Sequence, residues 1–262
     1  MIHAMELVQL EKDNYIGKIT INRPEQLNTF NYQALKELGE VLEEVKLSKD
    51  IRVVIVTGAG EKAFSAGADL KERRTLSEKE VRRNVTKIRD VFTELEELPQ
   101  PSIAAINGYA LGGGFELALA CDFRIAVNDA VLGLPEVSWA IVPGGGGTQR
   151  LTRLIGISRA KEWILTARKY KAEEAAEIGA INKAVPKEKL WDEVNTLAEE
   201  MLANGPLAVQ QAKYAINNGA NADLYTGMKI ESQAYEMIIP TKDRVEALEA
   251  FREKRPPNFK GE

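Results

Sequence analysis

Apolar positions along the chain follow two rhythms, one close to alternation and one of three- and four-residue steps. Residues 5–10 and 15–21 are short apolar-rich runs around Asp13-Asn14, which predicts an antiparallel strand pair turning at those two residues. Behind Asn31, a helix-capping residue, Leu35, Leu38, Val41, Leu42 and Val45 mark one face of a helix that ends near residues 48–50. The run 52–57 reads as a buried strand. Ser77 and Glu80 form a capping box before Val81, Val85, Ile88, Phe92 and Leu95, a second helical stripe that Pro99 and Pro101 terminate.

Residues 102–107 predict a strand, Gly112-Gly113-Gly114 a turn, 115–120 a short buried helix, and Phe123 to Val127 a further strand. Strands alternating with helices make this half α/β. After the glycines at 144–147 only 181–185 reads as a strand, among helices expected to start near Thr148, Ser158, Lys189, Pro206, Ala222 and Thr241. The late helices carry Met201, Met228, Met237, Tyr225, Tyr235 and Phe251, enough apolar surface for part of it to face another subunit.

Composition narrows the chemistry. Lys and Arg number 35 against 39 Asp and Glu, a net charge of -4 with no basic excess for a phosphate backbone, so nucleic acid is not an expected partner. The single cysteine, Cys121, excludes an intrachain disulfide and fits a reducing compartment, so a cytoplasmic location is expected. The single histidine, His3, lies in the N-terminal segment, which leaves triads and histidine metal sites poorly supplied. No apolar run reaches the roughly 18 residues of a membrane helix. Proton transfer, if the chain is an enzyme, falls to carboxylates.

Two glycine-containing turns, at 64–70 and 110–116, each lead from a strand toward a helix. Unpartnered N–H groups at such helix starts can serve a developing oxyanion, but spacing alone favours the plainer reading that the glycines allow tight turns and close packing. Neither turn matches a Walker loop or a dinucleotide fingerprint. Glu116 stands in the apolar segment Phe115-Glu-Leu-Ala-Leu-Ala-Cys121, and Glu136 follows Leu134-Pro135; a carboxylate in such surroundings is either paired or functional, against the alternative of a solvated surface glutamate. Asp122 and Arg124 are expected to form a structural ion pair, and Asp69 to cap the helix after the first turn. The tetraglycine lacks the lysine of a Walker loop and reads as a loop beside an active site. Ser65 lacks the Gly-x-Ser-x-Gly context and a histidine to activate it. Lys242, Arg244, Lys254 and Arg255 form a basic cluster that is either solvated or available to phosphates.

Taken jointly, Lys62-Ala-Phe-Ser-Ala-Gly-Ala-Asp-Leu70, Ala105-Ile-Asn-Gly-Tyr-Ala-Leu-Gly-Gly-Gly-Phe-Glu116, Leu134-Pro-Glu136 and Pro143-Gly-Gly-Gly-Gly-Thr-Gln-Arg150 resemble the crotonase family, specifically its enoyl-CoA hydratases. The resemblance extends from 21–28 to 251–254. It implies an α/β fold, a spiral of ββα units over residues 1–200, with a helical trimerisation region over 201–262 and a homohexamer made of two trimers. It implies hydration of a 2-enoyl-CoA thioester to a 3-hydroxyacyl-CoA. Ala68 and Gly113 match the family residues whose N–H groups bind the thioester oxygen, Glu116 and Glu136 its two catalytic carboxylates, and Gly144 the glycine that helps hold the attacking water. Glu116 is then the base toward water attacking C3 and Glu136 the acid toward C2, although sequence does not assign the shared proton.

The same resemblance sets the CoA adenine against Ala66, Ala68, Asp69 and Leu70, with Gln26 and Leu27 nearby and Phe251 and Lys254 contributed by a neighbouring subunit. CoA is there a handle on the substrate; no separate cofactor and no metal is implied. Acyl-chain selection is expected from 71–91 and Trp139. The C-terminal stretch is more similar to the methylglutaconyl-CoA hydratase branch of leucine catabolism, whose substrate carries an extra carboxylate and favours a cation near the acyl pocket. RNA binding, described for some members of that branch, has little support in the acidic charge balance. An isomerase or thioester hydrolase on this scaffold, or a non-catalytic CoA-binding protein, is disfavoured by the intact pair of glutamates.

Overall fold

The computed structural model describes residues 6–262; His3, and Met5 at the start of the first expected strand, lie outside them. β1 (Val8–Asp13) pairs antiparallel with β2 (Ile16–Ile21). Their turn is Asn14-Tyr15, with φ of 47° and 66°, one residue later than the expected Asp13-Asn14. Two successive positive φ values give the turn a twist that matches the strands. Tertiary contact holds the unusual tyrosine there, since the Arg52 guanidinium lies 4.1 Å from its ring centroid.

The chain then crosses through α1 (Tyr32–Leu47), whose predicted cap is present: Asn31 Oδ1 accepts the Ala34 N–H at 2.8 Å. From there it winds in ββα turns. β3 (Val53–Gly58) and β4 (Ala63–Ser65) precede α2 (Leu70–Arg73) and α3 (Glu78–Glu96). β5 (Ser102–Ile106) and β6 (Tyr109–Leu111) precede α4 (Gly113–Ala120), and β7 (Phe123–Val127) and β8 (Val131–Gly133) precede α5 (Gly147–Ile155). After α6 (Ile157–Leu165) come β9 (Lys169–Lys171), α7 (Ala172–Glu177), β10 (Lys183–Val185) and α8 (Leu190–Leu202). The first strand of each turn enters a six-stranded sheet, ordered β1-β2-β3-β5-β7-β10, and the second a four-stranded sheet, ordered β4-β6-β8-β9. β3, β5 and β7 pair in parallel, as do β4, β6 and β8, whereas β9 closes the smaller sheet antiparallel to β8. This is the expected spiral.

Four strands and α7 escape the sequence pattern. β4, β6, β8 and β9 are three residues each, shorter than the four or more residues over which alternation is detectable. The expected strand at 181–185 is realised only over Lys183–Val185. Burial explains which elements were legible: all six positions of β3 and all five of β5 are covered on both faces, as a parallel sheet between helices requires. α3 keeps its capping box and buries Ile88, Val91, Phe92 and Leu95, while Val81 and Val85 stay half-buried beside a cavity.

One expected ion pair is absent. Asp122 accepts from Ser102 N at 2.7 Å and pairs with Lys213 at 2.7 Å, whereas Arg124 donates to the carbonyls of Cys121 (2.6 Å), Ala118 (3.3 Å) and Ala180 (3.1 Å). The carbonyl-rich C-terminal end of α4 attracts the guanidinium, and a buried cation is stabilised by filling its donors there. Lys213 belongs to α9 (Pro206–Gly219), so the pair Asp122–Lys213 ties the late helices to the spiral.

α9, α10 (Leu224–Ile238) and α11 (Lys242–Glu253) form the C-terminal helical layer. Much of its apolar surface is open: Tyr225, Met228, Tyr235, Met237 and Phe251 are all exposed. Three of the four residues of the basic cluster are occupied within the chain. Arg255 pairs with Glu246 and Glu253, Lys242 with Glu262, and Arg244 donates to the Ile239 carbonyl. Asp243, in the first turn of α11, accepts the N–H groups of Lys260 and Gly261 at 2.7 Å each and holds the tail against α11.

Candidate active site

The spiral brings three chain segments to one place because β4, β6 and β8 are parallel neighbours. Immediately beyond β4 lies the turn Ala66–Asp69, beyond β6 the turn at Gly112-Gly113, and beyond β8 Leu134-Pro135-Glu136. Repetition of one structural unit thus sets these turns side by side at the carboxyl ends of adjacent parallel strands.

The first two turns touch. Gly67 has φ +89°, and a Cβ there would lie 2.7 Å from the Leu111 carbonyl and 2.9 Å from the Gly113 nitrogen. A Cβ on Gly114 would sit 1.9 Å from the Ser65 carbonyl, so only glycine permits the approach. Among the described residues neither Ala68 nor Gly113 donates its N–H to a protein acceptor, and Gly113, the first residue of α4, has no intrahelical acceptor. Asp69 caps α2 as expected, its Oδ1 accepting from Lys71 N at 3.0 Å and Glu72 N at 3.2 Å, while Oδ2 pairs with Arg23 at 2.9 Å. Burial opposes ionisation of Asp69, but Arg23 and the helix N–H groups outweigh it and hold the carboxyl below its ordinary range.

Glu116 lies on α4, where seven of eight residues are buried. Its Oε1 accepts from Gly145 N and Gly147 N, both at 2.8 Å. The tetraglycine is therefore neither a phosphate cradle nor a spacer: its backbone grips a carboxylate. A Cβ at Gly145 would meet Phe92, Ile88 and Glu116 within 2.9 Å, and Gly146 has φ +102°. Burial raises the Glu116 carboxyl above the usual carboxylate range, opposed by the Gly147 and Gly145 N–H groups and the Arg150 charge.

Glu136 is the opposite case. It is buried, and neither of its carboxyl oxygens has a hydrogen-bond partner among the described residues. Burial first, then the neighbouring Glu116 charge, pushes its carboxyl up to about 7. Of two coupled carboxyls, the one with two N–H donors accommodates negative charge and the one with none keeps a proton.

Both glutamates, Ala68, Gly113 and Gly144 line one cavity of about 430 Å³. Ala66 and Leu70 line it too, as do Arg73, Val85, Ile88 and Trp139, within the segment and residue expected to select the acyl chain. Leu27 joins the first turn directly, its carbonyl accepting the Ala66 N–H at 2.9 Å, and Gln26 precedes it in a short turn. Phe251 and Lys254 do not line the cavity; Phe251 projects from α11 with 87% of its surface exposed.

Three supporting residues were missed by sequence reasoning. Asn28, fully buried at φ 55°, accepts from Arg23 N at 2.9 Å and donates to the Ala59 and Ala63 carbonyls at 2.9 and 2.7 Å, fastening the 23–30 loop to β4. Arg23 links that loop to Asp69. Arg150 donates to the Gly145 carbonyl at 2.6 Å. Asn28 and Arg23 stand at loop positions without periodicity, and Arg150 acts from α5 on a loop outside its own helix, so local patterning carried no signal for any of them.

A family model described as enoyl-CoA hydratase/isomerase matches residues 11–262. The chain belongs to this family. Among relatives of the enoyl-CoA hydratase/isomerase family, it is 47% identical over 258 residues to human mitochondrial methylglutaconyl-CoA hydratase, covering 97% of this chain and 76% of that protein. It is 45% identical over 253 residues to the short-chain-enoyl-CoA hydratase of Clostridium acetobutylicum, covering 96% and 97%. The crystal structure of an enoyl-CoA hydratase from Bacillus anthracis superposes with a TM-score of 0.96 at 52% identity, covering 98% of this chain and all (100%) of the other. The crotonase resemblance of the sequence and the observed spiral therefore agree with the family.

Proposed function

We propose that this chain hydrates 2-enoyl-CoA thioesters to 3-hydroxyacyl-CoA. The observation that carries the reading is the asymmetric pair of carboxyls, Glu116 held by two N–H groups and Glu136 by none among the described residues, in one cavity with two backbone donors that these residues leave free. The thioester oxygen accepts from Ala68 and Gly113, each donor worth on the order of 3 kcal/mol of barrier as the enolate forms. Glu116 takes one proton of a water whose oxygen bonds to C3, and Gly144 backbone helps orient that water. Glu136 gives its proton to C2 as the enolate collapses. The sum adds H and OH across the double bond, and the proton on Glu116 returns to Glu136 through solvent to restore the starting state.

The CoA portion lies against Ala66, Ala68, Asp69 and Leu70, with Gln26 and Leu27 on the adjoining loop; Ala66 hydrogen-bonded to Leu27 makes these one surface. No cofactor beyond the substrate's own CoA enters the reaction. The open apolar faces of α10 and α11 support assembly through residues 201–262, a hexamer of two trimers with Phe251 and Lys254 reaching a neighbour's CoA. No helix among the described residues is long and apolar enough to cross a membrane, which is compatible with a cytoplasmic enzyme.

A second reading, 3-methylglutaconyl-CoA as substrate, is favoured by Arg73. This residue lines the cavity, and no carboxylate of the described residues pairs with it. A cation there suits an acyl chain that carries its own carboxylate. Hydration of crotonyl-CoA and 3-methylglutaconyl-CoA, followed by loss of the conjugated enoyl thioester in the parent and in Glu136→Ala, tests both readings. Turnover of either substrate, abolished by the substitution, supports hydration, and the faster one names the acyl class. Turnover of neither refutes the proposal.

A further inference from the structure

The grip on Glu116 has an outer layer. Gly145 donates its N–H to Glu116 Oε1 at 2.8 Å, and its carbonyl accepts from Arg150 Nη1 at 2.6 Å. Arg150 Nη2 is anchored to Glu96 Oε2 on α3 at 2.7 Å, and the arginine side chain is only 11% exposed. A Cβ at Gly146 would fall 2.1 Å from Nη1, so the guanidinium is packed directly on the backbone of the loop. Arg150 is four residues beyond Gly146, and helical side chains lean toward the N-terminus, which aims this one back at the loop.

We propose that Arg150 is a positioning residue for Glu116: it fixes the Gly145–Gly147 segment that holds the carboxylate and keeps the negative charge of the carboxyl pair on Glu116 rather than Glu136. Charged groups facing Glu116 from each neighbouring element support this. The 136–139 turn supplies Glu136, an acid; α5 supplies Arg150, a cation; α3 supplies Glu96, which reaches the loop only through Arg150 and is 40% exposed. Arg73 and Lys169 stand on the cavity walls and donate no hydrogen bond to either carboxyl among the described residues. The buried guanidinium is thus the cation that biases the pair, while the charge of its outer anchor is partly screened by water.

The role rests on the hydration reading only for its kinetic test, and two substitutions move the same quantity in opposite directions. Arg150→Gln keeps a hydrogen-bond donor and removes the charge, so the low-pH midpoint of kcat/KM rises by about one pH unit. Glu96→Gln, at a half-exposed site, leaves the Arg150 charge uncompensated, so the midpoint falls by a few tenths of a unit. The infrared band of buried protonated carboxyl, titrated in the Glu136→Gln background with and without each substitution, reads the Glu116 midpoint with no substrate present. Opposite shifts support the inference. Midpoints unmoved in both variants, with activity merely reduced, reduce Arg150 to a structural role and overturn it. A parent chain that hydrates nothing while the infrared shifts persist refutes the proposed reaction and leaves the role of Arg150 standing.

Discussion

Glu136 costs the fold stability wherever it is charged, and the cost is measurable. Its carboxyl sits at about 7 in the folded chain against 4.5 for a free glutamate, because burial, and then the charge on Glu116, disfavours its anion. A folded value raised above the unfolded one means stability that is complete below pH 4.5 and is lost as pH rises through 7. Between pH 5 and pH 9 that loss comes to roughly 2.5 kcal/mol per protomer. Glu136→Gln cannot ionise, so its unfolding free energy lacks this contribution. Any fixed cost of placing an amide in the pocket is the same at both pH values and cancels. Urea unfolding of parent and variant at one protomer concentration, which holds any assembly contribution constant, gives the comparison. The variant is expected to gain about 2 to 3 kcal/mol on the parent from pH 5 to pH 9. A difference that stays constant within half a kcal/mol, or that shrinks as pH rises, would refute the account of Glu136 as a buried carboxyl without a counter-ion.

Catalytic substitutions follow the opposite sense: Glu116→Gln and Glu136→Gln should each lower kcat for crotonyl-CoA about a hundredfold to ten-thousandfold, read by loss of enoyl-thioester absorbance. The high-pH limb of kcat/KM should have its midpoint near about 7, as Glu136 loses the proton it delivers, and should vanish in Glu136→Gln. Gly114→Ala forces a methyl into the Ser65 carbonyl, so a destabilisation of about 3 kcal/mol is expected, read as a fall in Tm, with activity lost beyond what stability explains. Asn28→Ala leaves the Ala59 and Ala63 carbonyls and the Arg23 N–H without partners in a buried loop; a loss of about 3 kcal/mol by denaturant titration is expected, and no loss would contradict the fastening role.

Local signals in the sequence determined the long elements. α1 and α3 were legible through their stripes and caps, β3 and β5 through continuous apolar runs, and α4 through its apolar composition. Each carries its evidence within a few residues, because helix capping and burial of one face are local demands. Glu116 and Glu136 stood out for the same reason, as charges in apolar neighbourhoods that cost energy unless something uses them.

Only the tertiary structure decided what the neighbours of those charges are. Nothing near Glu116 in sequence tells that Gly145 and Gly147 hold it, 29 and 31 residues away, or that no group among the described residues holds Glu136. The Asp122 carboxylate and the Arg124 guanidinium lie two residues apart and yet do not pair: a lysine from α9 reaches the carboxylate, and backbone carbonyls at the end of α4 take the guanidinium. The three-residue strands β4, β6 and β8 are too short to form on propensity; pairing with one another is what makes them strands. Their parallel register then sets Ala68, Gly113 and Glu136 around one cavity, since hydrogen bonds between distant segments, and not the order of residues, fix where the strand ends meet.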